Sequence, residues 1–201
     1  MSSHLTRIPL DHPLVRGPGS LDDQDPLHKA VMSIFANLAG PVGERRSTND
    51  ILFRVERPTD RMPCVLIQSS VPPDSVADGC DRVRIIDVSS ILQLAASADY
   101  ARITVDVNTV MRNNRIKSTR PVTAQELSPW LSAKFGTAVS ELIVRDSTQM
   151  RRTVNGARLN VTSVVADVRV GDQTAFHRVL TGGIGRAKSY GCGLVLAQPV
   201  R

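Results

Sequence analysis

Two successive stretches of this chain carry the same order of secondary-structure signals, and no other feature narrows the fold as much. The first opens on "LTRIPL" (5–10), a short strand, and passes through the loop "DHPLVRGPGS" into a helical pattern. There Leu27, Val31, Ile34, Phe35 and Leu38 fall on one face, with Asp25 expected as N-cap and Pro26 as the first helical residue. "DILFRVERP", "CVLIQSS" and "VRIIDV" read as strands, while "VPPDSVADGCD" between the last two is too broken for a long helix. The second stretch repeats the order. In "ARITVDVNTV", Ile103, Val105 and Val107 alternate with polar residues, as in a half-buried strand. "MRNNRIKSTR" reads as a polar, basic connection, and Thr123 with Glu126 forms a capping box ahead of a helix running to about Lys134. "ELIVRD" and "LNVTSVVADVRV" supply strands, with "MRRTVNGAR" as a hairpin between or beside them. Asp172 caps a last helix over roughly 173–181, and "LVLAQPV" closes as a strand. A twofold β-α-β-β-(α)-β order predicts an α+β chain of two tandem ferredoxin-like (RRM-like) domains, residues 1–96 and 97–201.

The length of 201 residues suits two domains of about 100 residues each, and a hydrophobic content of 41% permits packed cores. No apolar run approaches the roughly 20 residues of a membrane span, and "MSSHLTRIPLDHP" lacks the apolar stretch of a signal peptide. Three cysteines (Cys64, Cys80, Cys192) without metal-ligand spacing fit a reducing compartment, so a cytoplasmic location is expected.

The net charge of +6 is unevenly placed: residues 1–100 hold 10 Lys+Arg against 13 Asp+Glu, and residues 101–201 hold 15 against 6. Only four of the 25 cations are lysines. Arginine's planar fork suits phosphate and base edges, so the second half reads as the polyanion-binding half. RNA contacts are expected from Arg112, Arg115, Lys117 and Arg120 on one connection, and from Arg151, Arg152 and Arg158 on another. Arg45 and Arg46, in the acidic half, are expected to matter less. With aromatics at 3%, stacking on single-stranded bases is not expected to dominate; duplex shape and phosphate contacts fit better, as for an RNA hairpin.

"GIGRAKSYGCG" places Gly183, Gly185, Gly191 and Gly193 around Arg186, Lys188 and Tyr190. Glycine permits positive φ and close approach to the backbone, and the two cations point to a phosphate. A Walker A loop fails because no glycine precedes Lys188-Ser189, and a dinucleotide fingerprint fails because only eight residues follow Gly193. A tight helix-to-strand turn is the other reading of the same spacing.

The spacing G-h-G-x5-G-h-G near a C-terminus resembles the signature loop of CRISPR-associated repeat-cleaving endoribonucleases, and "GIGRAKSYGCGLVLAQPV" is most similar to the CasE branch of type I-E systems. "LHKAVMSIF" followed by "NDILFRVER" resembles that branch's helix with a leading histidine and the strand after it; "RIKSTRPV" and "WLSAKFG" resemble its middle less specifically. The resemblance implies two ferredoxin-like domains, a catalytic histidine at His28, retention of the product hairpin and membership of a multisubunit surveillance complex. The same fold could also serve a non-catalytic RNA-hairpin-binding subunit.

Counted from Asp25, His28 is the third helical residue, where free N–H groups and the positive dipole end would attract phosphate and keep the imidazole neutral. His4 and His12 lie in the N-terminal stretch with no partner pattern, and His177 reads as a surface or packing residue of the last helix. No His/Asp/Glu cluster has metal-ligand spacing, and the run Asp22, Asp23 and Asp25 reads as a solvated loop with a helix cap rather than as a Mg²⁺ site. The expectation is therefore metal-independent cleavage, without cofactor, leaving a 2′,3′-cyclic phosphate. Relatives often carry a tyrosine one turn before the histidine; here that position is Asp25, which leaves the second proton-transfer group open.

Overall fold

The structure is a computed structural model that describes residues 2–15, 23–74, 82–113 and 118–200. Strand β1 (His4–Pro9) lies inside the first sheet, hydrogen-bonded on one side to β3 (Cys64–Ser69) and on the other to β4 (Arg84–Asp87); β2 (Leu52–Glu56) pairs with the far edge of β3. The second sheet contains β5 (Tyr100–Asn108), β8 (Val139–Val154), β9 (Ala157–Val170) and β10 (Val195–Pro199) in the order β10-β5-β9-β8. Every pairing in both sheets is antiparallel. Counted from its own first strand, each sheet has the order fourth-first-third-second, the ferredoxin-like arrangement expected for the duplicated pattern.

Helix α1 (Gln24–Ser33) covers the first sheet with Leu27 and Val31, which bury beside Ile8, Phe53 and Ile67. A four-residue helix, α2 (Arg45–Thr48), lies in the connection to β2. Helices α4 (Ala124–Phe135) and α5 (Gln173–Gly182) pack Leu131, Phe135, Phe176 and Leu180 against Ile103, Val105 and Val164 of the second sheet. Helix α3 (Ser89–Ala96) also sends Leu92, Ala95 and Ala96 into this second core, although the expected division after residue 96 assigns it to the first half. The Thr123–Glu126 capping box is present at α4, and the Asp172 carboxylate accepts from Ala175 N at 2.9 Å to cap α5.

Two local expectations change. The N-cap of α1 is Asp23, whose carboxylate accepts from Asp25 N at 3.1 Å, so the helix starts two residues early and His28 is its fifth residue. The shift has a tertiary cause. Asp23 also bridges Thr153 and accepts from Asn155 N at 3.4 Å, both at the tip of the β8–β9 hairpin. The basic stretch read as a connection contains an antiparallel ribbon, β6 (Val110–Asn113) with β7 (Ser118–Pro121). All four β7 residues are exposed, so no apolar alternation marks the strand.

The β8–β9 hairpin turns at Asn155-Gly156, both at positive φ (49° and 78°), as a two-residue turn of its hand requires. It outruns its neighbour: β5 ends opposite Val161, while Arg151, Arg152 and Thr153 pair onward with Asn160, Leu159 and Arg158. The overhang reaches the start of α1, bringing the second half to the helix of the first.

Candidate active site

Leu27 and Val31 anchor α1 in the first core, and this fixes His28 at the rim of the buried face, half-buried. Its Nδ1 is enclosed with no hydrogen-bond partner, which leaves Nε2 as the ring nitrogen able to meet a ligand. Tyr190 packs against the imidazole edge-on, with ring centroids 6.0 Å apart and planes at 67°. Burial first, then the positive charge of Arg46, holds the His28 pKa below the ordinary imidazole value; Asp25 opposes and Lys29 adds to the lowering. That direction favours the neutral imidazole of the sequence expectation near pH 7. The cause is different, because the fifth helical residue lies past the free N–H groups of the first turn.

His28 opens into a cleft of about 400 Å³ that Arg45, Arg46, Ser47 and Ser189 also line. The wall carrying the arginines is rigid for a loop. Asn49, buried, donates its side-chain amide to Ala39 O at 3.0 Å and Arg45 O at 2.7 Å. Arg46 Nη1 donates to Ile51 O at 3.0 Å, and Ile51 N returns a bond to Arg46 O at 2.9 Å. By net charge these two arginines belong to the acidic half and are expected to matter less; the fold puts them opposite the histidine. Net charge is legible in a sequence, but not the face that carries it.

The glycine loop forms the other wall by closing on itself. Ile184 N donates to Gly193 O at 3.0 Å, and Gly193 N to Asp106 O at 2.7 Å. A Cβ on Gly193, at φ 84°, would lie 2.3 Å from Ile184 O, so the two ends of the loop meet backbone to backbone. Between them Ala187 and Gly191, both left-handed, bracket a single 3₁₀ turn, Lys188–Tyr190, which presents Tyr190 and Ser189 to α1. Gly191 is close-packed as well: a Cβ there would meet Gln24 Oε1 at 2.9 Å and Arg152 Nη1 at 3.1 Å. Gly183 backs onto Gly193 O, whereas Gly185 is exposed with open space at its Cβ position. Of the two readings of the spacing, tight closure accounts for three of the four glycines, and what the closed loop presents is a side chain against His28. Burial pushes the thiol of Cys192, inside the loop, up to about 12, so it is a packing group.

The expected RNA-binding cations divide by environment. Arg151, Arg158, Arg112 and Arg186 are exposed, the first two on the hairpin overhang. Arg152 is not a surface cation: at 3% exposure its guanidinium pairs with Asp106 through Nη2 and donates to Gly191 O at 2.8 Å through Nη1. Lys188 is half-buried and donates to Gly182 O at 2.7 Å and Gly183 O at 3.0 Å, capping the negative end of α5. Burial, then Arg46, lowers its pKa. Arg120 holds Glu126 bidentately at 2.7 and 2.5 Å, keeping that carboxyl at about 2. Absence of nearby acidic residues in sequence does not carry over to space, since Asp106 and Glu126 arrive from elsewhere. Arg115 and Lys117 lie outside the described residues.

Asp106 is the junction of these parts. It is 1% exposed, lies on β5, and faces Arg152 of the hairpin on one oxygen and Arg54 of β2, at 3.3 Å, on the other. First sheet, second sheet, hairpin and glycine loop thus meet at one carboxylate, and Tyr190 is one residue from the carbonyl that Arg152 holds. The acidic run before α1 is likewise engaged within the protein: Asp23 caps, and Asp25 pairs with Lys29 at 2.7 Å. Asp22 lies outside the described residues. Among the described residues no group of three or more His, Cys, Asp or Glu is placed to hold a metal ion, and no helix is long and apolar enough to cross a membrane.

Two ferredoxin-like units joined across a histidine cleft, with a glycine-rich loop before the last strand, define a double ferredoxin-like α+β protein. The chain belongs to the family described as CRISPR associated protein, whose model matches residues 3–199. Its structure is similar to that of Thermus thermophilus Cse3 bound to an RNA representing a pre-cleavage complex. The TM-score is 0.75 at 18% identity, covering 99% of this chain and 100% of that one. The CRISPR-associated protein Cas6e from Escherichia coli K-12 aligns with TM-score 0.64 at 21% identity, over 98% of this chain and 100% of the other. A chain of a CRISPR RNA-guided surveillance complex aligns with TM-score 0.61 at 20% identity, over 98% and 100%. A search of curated proteins finds no match.

Proposed function

We propose that the chain is a metal-independent endoribonuclease of the CasE type that cuts CRISPR repeat RNA at a stem-loop, and that it stays on the product as a subunit of a type I-E surveillance complex. The observation that carries this reading is the neutral, half-buried His28 with a free Nε2 in a cleft lined by arginines. His28 takes the proton of the ribose 2′-OH. The 2′-oxygen bonds to the adjacent phosphorus, the P–O5′ bond breaks, and the 5′-oxygen leaves with a proton from water. The products are a 2′,3′-cyclic phosphate and a 5′-hydroxyl. Tyr190 packs edge-on against the imidazole from the glycine loop and so helps to orient it. Cse3 bound to RNA and the surveillance complex, both alike in fold, support the substrate and the assembly. A non-catalytic hairpin-binding subunit would not need a proton-accepting nitrogen turned toward a cationic cleft.

Repeat RNA with its stem-loop, incubated with the wild-type protein, is the deciding assay: product ending in a cyclic phosphate supports the enzyme, and tight binding without cleavage supports the rival. Excess EDTA is expected to leave the rate unchanged, because the reaction proposed uses side chains and water and no metal ion; a loss of rate restored by Mg²⁺ would refute that part. Binding has its own test. Neutralising Arg151 and Arg158 together should weaken hairpin affinity and flatten its salt dependence, by about 0.7–0.9 in log–log slope for each phosphate that is no longer neutralised. An unchanged slope would remove the overhanging hairpin from the RNA surface.

A further inference from the structure

The structure assigns Arg46 to the scissile phosphate: its guanidinium is the cation that holds the non-bridging oxygens while the 2′-oxygen attacks. This rests on the endoribonuclease reading above. It is reached by asking which positive charges around His28 are still free to meet an anion. Lys29 is paired with Asp25 at 2.7 Å. Lys188 donates to two carbonyls at the end of α5. Arg152 and Arg54 share Asp106 in the interior. Arg45 and Arg46 remain, both on the cleft wall, and neither is in an ion pair with any described carboxylate.

Arg46 is the better placed of the two. It is half-buried, and its single bond to Ile51 O occupies one of five N–H groups, which fixes the side chain and leaves the rest of the fork for a ligand. Arg45 is exposed on the adjoining position and suits an outer contact. A planar fork can bond two phosphate oxygens at once, and in a half-buried site that attraction is poorly screened. The charge also reaches His28, where it lowers the proton affinity alongside burial. Among the described residues the charge of Asp50 reaches both Arg46 and Lys188, but it forms an ion pair with neither. One residue thus adds to the burial that keeps the base neutral and offers charge to the phosphorane.

The test is single-turnover cleavage of a repeat hairpin, with melting temperature and hairpin affinity measured in parallel. Arg46→Ala is expected to slow cleavage by about 10²–10³-fold, the usual loss for one transition-state donor, with affinity within a few-fold. Two readouts separate this from a structural role. Added guanidinium ion should restore part of the rate. The acid limb of the pH–rate profile should move up, because Asp25, Lys29 and Tyr190 still face His28 but the Arg46 charge is gone. If Arg46→Ala does not fold, Arg46→Lys, which keeps a donor for Ile51 O, decides: a native melting temperature with cleavage at least tenfold slower supports the assignment. A wild-type rate in either folded variant overturns it, as does a loss that guanidinium cannot restore and that leaves the acid limb in place. Wild-type protein that binds but never cuts would overturn the endoribonuclease reading and this assignment with it.

Discussion

His28→Ala abolishes cleavage of repeat RNA and leaves hairpin binding within a few-fold of wild type; this is the largest expected effect on activity. A positioned general base contributes about 10²–10⁴-fold, and no other imidazole lines the cleft. Binding should survive because the exposed arginines of the hairpin overhang do not depend on this side chain. Folding should survive because His28 sits at the rim of the core, and its enclosed Nδ1 has no bond to lose. The measurement is single-turnover cleavage beside equilibrium binding. A variant that cuts at the wild-type rate removes His28 from the reaction. The wild-type rate should hold down to pH values below the ordinary imidazole range and then fall. Burial and Arg46 lower the pKa, so protonation, which disables the base, sets in only at more acidic pH.

Arg152→Ala has the largest expected effect on stability, about 3–5 kcal/mol, because it leaves Asp106 buried without its strongest partner. Arg54 remains 3.3 Å away but is drawn also to Glu56. The same substitution frees the Gly191 carbonyl, so the 3₁₀ turn carrying Tyr190 loses its anchor to the hairpin. Arg151→Ala, one residue away and exposed, should change stability by no more than about 0.5 kcal/mol. Denaturant unfolding of the two variants makes the comparison. Equal stabilities would show that the Asp106 junction does not hold the two halves together, and would return Arg152 to the RNA-binding surface that its sequence context suggests.

Local signals are legible wherever an element is defined by its own residues. Alternation in Ile103, Val105 and Val107 marks β5; Thr123 with Glu126 marks the start of α4; Asp172 marks α5; Asn155-Gly156 marks the hairpin. Repetition of those signals in one order determines the duplicated fold, because period and capping are short-range properties. Resemblance in the helix and the glycine loop points to His28.

What the chain alone could not express is the meeting of distant segments. Asp25 satisfies every local rule for an N-cap, yet Asp23 caps α1 because the hairpin tip, some 130 residues later, comes to the same carboxylate. Arg151 and Arg152 are neighbours of one type in one strand, and strand geometry turns one to solvent and the other to Asp106. Arg46 sits in an acidic half but faces the histidine, while Lys188 sits in a glycine-rich loop but caps a helix. The sequence determined the two folding units and the uneven charge, and its resemblance pointed to the histidine. Only tertiary structure decided which cations are free, since a charge is neutralised by whatever lies within a few ångströms, whatever its distance along the chain.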